Sequence, residues 1–287
     1  MRIRMSYSNI PARQMQPRTA NSNVARCFKT IVCFVIALLS VVLPDTATAE
    51  DSGLSAKQKA FGNIPFERMT ASATERIKST INSEAVYKHL PESTIQCSPE
   101  LYIQLVRYPE LVCNMWELMG AAKFRVNRVG EFEFTLSDLK GNTSQVELIY
   151  GTHETHVFLI DGKYKGPLLV KNIKAKTVVV VHSSFELNDK SEPITRHSID
   201  LFMKLDSGVG EIVEGVVVPL FMKATEWSYD EITKFVGQVY NVALTKPDGM
   251  HRLINKLTRC QPAIRKRLSN VTTTIAESSV RTAALPK

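Results

Sequence analysis

Ser93 to Gly120, STIQCSPELYIQLVRYPELVCNMWELMG, is the stretch that decides the fold. STIQC reads as a short strand ending at Cys97. Ser98-Pro99-Glu100 then has the chemistry of a helix start. A capping hydroxyl comes first, proline stands in the first turn, and an acid sits at the positive end of the helix dipole. Leu101, Leu105 and Val106 share one helical face until Pro109 interrupts, and a second helical set uses Leu111, Val112, Met115, Trp116 and Met119. Gly120 closes it.

Outward from this pair, the hydrophobic period changes. From Ala121 to Asp206 it is two, in the runs KFRVNRV, EFEFTLSD, QVELIY, HVFLID, TVVVVHSSFEL and ITRHSIDLFMKL. LKGN, GTHE, DGKYKG and NDKSEP punctuate them as turns. Strands joined so closely make an antiparallel meander, not a βαβ series. After Gly208 the helical period returns, with one apolar stripe from Val209 to Leu220 and another through Ile232, Phe235, Val236, Val239 and Ala243. Pro219 is expected to break or kink the join. The fold class expected is therefore α+β, a curved antiparallel sheet of about six to seven strands with helices after it.

The chain opens differently. Residues 1–49 combine a basic leader, the 13-residue apolar run Ile31–Leu43 and the small-residue site Ala47-Thr48-Ala49, the pattern of a cleaved signal peptide. The expected location is periplasmic or secreted after cleavage near Ala49, with an N-terminal membrane anchor as the minor alternative. The leader also holds much of the positive charge. The whole chain has 36 Lys/Arg and 28 Asp/Glu, the first 49 residues hold 6 and 1, and the remainder is close to balanced. The high pI is thus no argument for nucleic-acid binding. Residues 50–92 are read as a flexible arm, and 259–287 as a partly helical tail. Three cysteines remain after the leader, Cys97, Cys113 and Cys260. Cys97 with Cys260 is the expected bridge in an oxidising compartment, since Cys113 lies inside a helix pattern.

Gly151-Thr-His-Glu-Thr-His156 invites a metal reading. Histidines three apart on an extended chain point in different directions, however, and the helical zinc motif needs a spacing of four. The stretch is read as a hairpin loop, with Leu148 opposite Val157 and Val146 opposite Leu159, and neither a metal nor a cofactor is expected. A second polar pair comes from matching apolar faces of the last two strands, Val180 with Leu201, His182 with Ile199 and Ser184 with His197. His182 and His197 then share a face, close enough for a bridging group. They are the weak candidates for acid–base catalysis, without an identifiable nucleophile.

The order strand, Ser-Pro-Glu helix, Tyr-Pro-Glu break, meander and late helices resembles the START-like, helix-grip superfamily of lipid-transfer and polyketide-cyclase-type domains over residues 93–258, and within it a group of exported bacterial proteins. The resemblance implies a curved sheet gripping a C-terminal helix, with an apolar cavity between them. The departure from it is that the helix is interrupted at Pro219 and Pro247. The lining residues implied are Trp116, Met119, Phe158, His182, His197, Leu201, Met203, Phe235 and Val239. The expected function is binding of a lipid or another apolar small molecule. The alternatives are a cyclase- or hydrolase-like enzyme using His182 and His197, or a ligand-free envelope protein. Nucleic acid is not an expected partner; peripheral membrane contact is.

Overall fold

In the computed structural model, residues 49–82, 84–121, 124–137, 142–164, 173–206 and 218–284 are described. Residues 1–48 of the expected leader and the stripe Val209 to Val217 lie outside them. Two helices come first, α1 (Ala49–Gly62) and α2 (Ala71–Thr80), followed by strand β1 (Val86–Gln96). The helical pair is α3 (Pro99–Arg107) and α4 (Pro109–Leu118). Strands β2 (Arg125–Arg128), β3 (Glu133–Ser137), β4 (Thr143–Gly151), β5 (Thr155–Tyr164), β6 (Ile173–Leu187) and β7 (Pro193–Leu205) follow. Then come α5 (Val218–Thr245), α6 (Pro247–Asn255) and α7 (Pro262–Ala284).

The strands form one seven-stranded antiparallel sheet in the order β1-β7-β6-β5-β4-β3-β2. The fold is α+β with the curved sheet and long late helix of a helix-grip arrangement. Local chemistry sets the helix starts. Ser98 caps α3, its hydroxyl accepting from the Leu101 amide at 3.4 Å, and Pro99 and Pro109 stand in the first turns of α3 and α4. The described part of α5 begins at Val218, with Pro219 next, and runs for 28 residues. The expected break or kink at Pro219 falls at this described beginning, with continuous helix after it. Pro247 opens α6, so the interruption there separates two packed helices.

Both faces of the sheet are covered. On the inner face, Val126, Phe134, Val146, Leu148, Phe158 and Val181 pack against Cys113 of α4 and Val106 of α3. Leu201 and Met203 pack against Val218 and Met222 of α5. On the outer face, Val157, Leu159, Val178, Val180 and Phe202 pack against Ala60, Ile64, Ile77 and Ile81. That outer cover corrects the expected flexible arm over 50–92. Its two helices supply apolar side chains that the outer face requires, and Lys57 of α1 donates to the carbonyls of Asn82 and Ala85 just past α2. β1 is also longer than expected, its first half pairing with β7 from Val86 opposite Met203. At the other end, the expected tail is the helix α7. Ile264, Leu268 and Ile275 of α7 are buried in a core shared with α3, α4, α5 and α6. The packed unit therefore extends past 93–258 in both directions.

Cys97, Cys113 and Cys260 are all buried free thiols, which corrects the expected bridge. The Cys97 and Cys260 thiols point instead at backbone carbonyls, those of Ser98 and Glu110, each at 3.5 Å.

Candidate functional site

The register decides which polar residues can meet. The observed partners are Val180 with Asp200, His182 with Ser198, and Ser183 with His197. The expected register is wrong by one residue, and with a side-chain period of two a single slip moves every side chain to the other face. His182 therefore faces outward and His197 inward, and they form no common catalytic site. The β4–β5 hairpin shows the same slip, with Val146 opposite Ile160 and Leu148 opposite Phe158. A bulge between Leu148 and Tyr150 shifts the pairing by one residue more, placing Tyr150 opposite Val157.

The inner face is the candidate site. Leu136, Ile160, Val179 and Ile199 project from β3, β5, β6 and β7 toward the helices, and all four are only half-buried. Beside them an aromatic chain links the helices. Trp116 of α4 meets Phe124 edge-on with centroids 5.9 Å apart and tilts against Phe235 of α5 at 5.3 Å. Ile232, one turn before Phe235, is 43% exposed. These apolar side chains of the inner face and of α5 are covered only in part.

Of the expected lining residues, Trp116 and Phe235 meet here, and Phe158 lies in the adjoining inner-face cluster. Leu201 and Met203 pack under the start of α5, and Val239 belongs to the helical core. Met119 is 56% exposed at the end of α4, and His182 is on the other face.

The polar groups of the inner face gather at one end. His197 is buried, stacked on Tyr102 of α3 at 5.4 Å and edge-on to Tyr229 of α5 at 5.2 Å. Its Nε2 lies 2.9 Å from the Thr233 hydroxyl. The Tyr229 hydroxyl lies 2.8 Å from the His197 carbonyl oxygen and 2.9 Å from that of Pro91, tying α5 to β7 and β1. His156, from the GTHETH hairpin, is fully buried, and Arg107 donates from Nε to its Nε2 at 3.0 Å. Burial pushes both imidazoles down to about 4, with the Arg107 charge adding to the effect at His156. Both rings are therefore neutral at physiological pH. Gly151 is suited to its place, since a Cβ there would stand 3.3 Å from the His156 ring and 3.7 Å from the Arg107 guanidinium.

Sequence reasoning missed the main polar group of the outer face. Asp200, buried in β7, accepts from Tyr87 at 2.7 Å and lies 2.8 Å from His89 Nδ1 and 3.1 Å from His182 Nε2. Burial alone would raise its carboxyl, but the hydrogen bonds from His182, Tyr87 and His89 hold it down at about 2. The available signal was a lone acid inside the otherwise apolar run Ile199-Asp-Leu-Phe-Met203. Also missed was the buried pair in which Arg128 donates twice to Glu110, at 2.5 and 3.0 Å, with the guanidinium 5.0 Å from the centre of the Tyr108 ring. A polar hollow of about 290 Å³ lies between α2 and the outer face, among Arg76, Glu133, Glu147, Asp161 and Lys176. Among the described residues no group of three His, Cys, Asp or Glu side chains has the geometry to hold a metal ion. No described helix is long and apolar enough to cross a membrane.

No family model and no curated protein matches the chain. Solved structures similar to it include a conserved protein from Geobacillus kaustophilus, at 14% identity and TM-score 0.37 over 53% of this chain and 96% of that one. Ara h 8.0201 is similar at 14% identity and TM-score 0.32, over 54% of this chain and 96% of its own. Norcoclaurine synthase from Thalictrum flavum, solved with a transition state analogue, is similar at 16% identity and TM-score 0.30, over 54% and 97%. These are likenesses of outline. The helix-grip description rests on the strand order and on α5.

Proposed function

We propose that the protein is an exported binder of a lipid or similarly apolar small molecule, held between α5 and the inner face of the sheet. One observation carries the reading: Leu136, Ile160, Val179 and Ile199 are core-facing apolar residues left half-buried, and Trp116 and Phe235 of the helices meet beside the same cluster through Phe124. Apolar surface left uncovered on the concave side of a sheet suits an apolar ligand whose burial completes it, at about 25 cal/mol per Å² of apolar area. The neutral His156 and His197 at one end supply the few polar groups that would orient such a ligand.

The test is native mass spectrometry of the protein purified through a secretory route, followed by solvent extraction. A lipid-sized adduct is expected, and Val179→Trp, which fills the cleft, should abolish it while the melting temperature holds. An apo mass that persists after incubation with a total lipid extract overturns the reading.

A further inference from the structure

Two buried imidazole nitrogens without hydrogen-bond partners, His156 Nδ1 on β5 and His197 Nδ1 on β7, lie on the inner face with the Ser183 hydroxyl of β6, whose neighbour is the Tyr102 hydroxyl. The register brings them together. Ser183 is directly opposite His197, so their Cβ atoms are about 5 Å apart. His156 is opposite Val181, two residues before Ser183 and on the same face, which makes it a diagonal neighbour. The three residues are 0, 7 and 5% exposed. Tyr102 of α3 closes over them through its stack on His197. Leaving such groups unpaired costs about 1–3 kcal/mol each, so two in one niche call for an occupant.

The chemistry of the niche indicates what the occupant presents. Because Arg107 donates to Nε2 of the neutral His156 ring, the ring's single proton is on Nδ1, and the unpaired atom is an N–H donor. Ser183 and Tyr102, hydrogen-bonded to each other, leave one O–H donor between them. Arg107 itself has no carboxylate partner among the described residues; it donates to His156 and to the Thr152 carbonyl at 3.1 Å. Its charge polarises the His156 ring toward the niche, which strengthens the Nδ1–H donor. Two donors backed by an uncompensated cation suit an acceptor of negative charge. The niche also adjoins the cleft, since Ile199 follows His197 by two residues on the same face of β7.

The geometry points to a head-group subsite: the niche of His156, Ser183 and His197 seats the carboxylate of a long-chain amphiphile whose tail lies along Ile199, Val179 and Ile160. This rests on the cleft reading above and deepens it.

The experiment uses the purified protein loaded with N-phenylnaphthylamine, an uncharged apolar fluorophore, and competes it with palmitate, with the alcohol and with the amine of the same chain. Palmitate is expected to displace the probe at a concentration about tenfold below that of the alcohol, the amine being weakest, because a charge-assisted hydrogen bond contributes that much. Ser183→Ala should shrink the acid-over-alcohol ratio to under about threefold without changing the affinity for the probe, and Ser183→Thr, which keeps the hydroxyl, should restore it. Palmitate but not the alcohol should also move the His156 ring N–H resonance. Equal displacement by all three chains, or an acid preference that survives Ser183→Ala, means the niche holds ordered water only and overturns the subsite while leaving the cleft standing. A protein that binds neither the probe nor any chain overturns the cleft and the subsite together.

Discussion

Asp200→Asn tests the outer-face cluster quantitatively. Asp200 is satisfied by three donors from two neighbouring strands, Tyr87 and His89 on β1 and His182 on β6. Its carboxyl would titrate near 3.8 in the open chain and is held at about 2 in the fold. That difference makes the ionised carboxylate worth about 2 kcal/mol at neutral pH. Because the folded value is the lower one, the unfolded chain takes up the proton first as pH falls. The contribution is complete above about pH 5 and lost below about pH 1, with more than half of it gone by pH 2.5. Asparagine keeps one acceptor but turns N–H groups toward donors, so the variant should be less stable by at least about 2 kcal/mol at pH 7. Urea unfolding of both proteins at pH 7 and pH 2.5 measures the effect, since titrating groups remote from Asp200 cancel in the difference. The gap should close by more than half of the carboxylate's contribution at the lower pH. A gap of the same size at both values would refute the claim that Asp200 is ionised and hydrogen-bonded in the fold.

Ile77, fully buried under the outer face, should cost about 3 kcal/mol as Ile77→Ala, read as a lower urea midpoint; a loss under about 0.5 kcal/mol would mean that α2 is a loose arm after all. Glu110→Gln should destabilise by about 3 kcal/mol, because it strands Arg128, whose side chain is only 6% exposed, and the loss should vanish in an Arg128→Met background. A chain beginning at residue 50, unfolded without reductant, should react with three equivalents of a thiol reagent, whereas a single equivalent would establish a disulfide. The same thiols should react slowly in the native protein, because burial raises Cys113 and Cys260 to about 12.

Much of the architecture is legible in the sequence. Ser98-Pro99-Glu100 and Tyr108-Pro109-Glu110 are helix starts by their own chemistry, and α3 and α4 begin there. Six runs of period two became β2 to β7, because alternation and turn residues are local properties. The candidate site was legible only in fragments. Trp116 and Phe235 are apolar enough to be named, and they do meet, whereas His182 and His197 were joined by a register that does not exist.

What the sequence determined by itself is the kind and order of its elements, since capping, proline placement and hydrophobic period act within a few residues. Which face each strand residue occupies was decided only by the tertiary structure. Val178-Val-Val-Val181 is apolar at every position, so its period carries no parity. Such a run is what a strand buried on both faces requires, and the second cover comes from α1 and α2, a segment too polar overall to be recognised as part of the core. The same lack of parity hid the Asp200 cluster and the niche of His156, Ser183 and His197. Each draws on residues distant in the chain, brought together by a ladder whose register is set across the whole sheet.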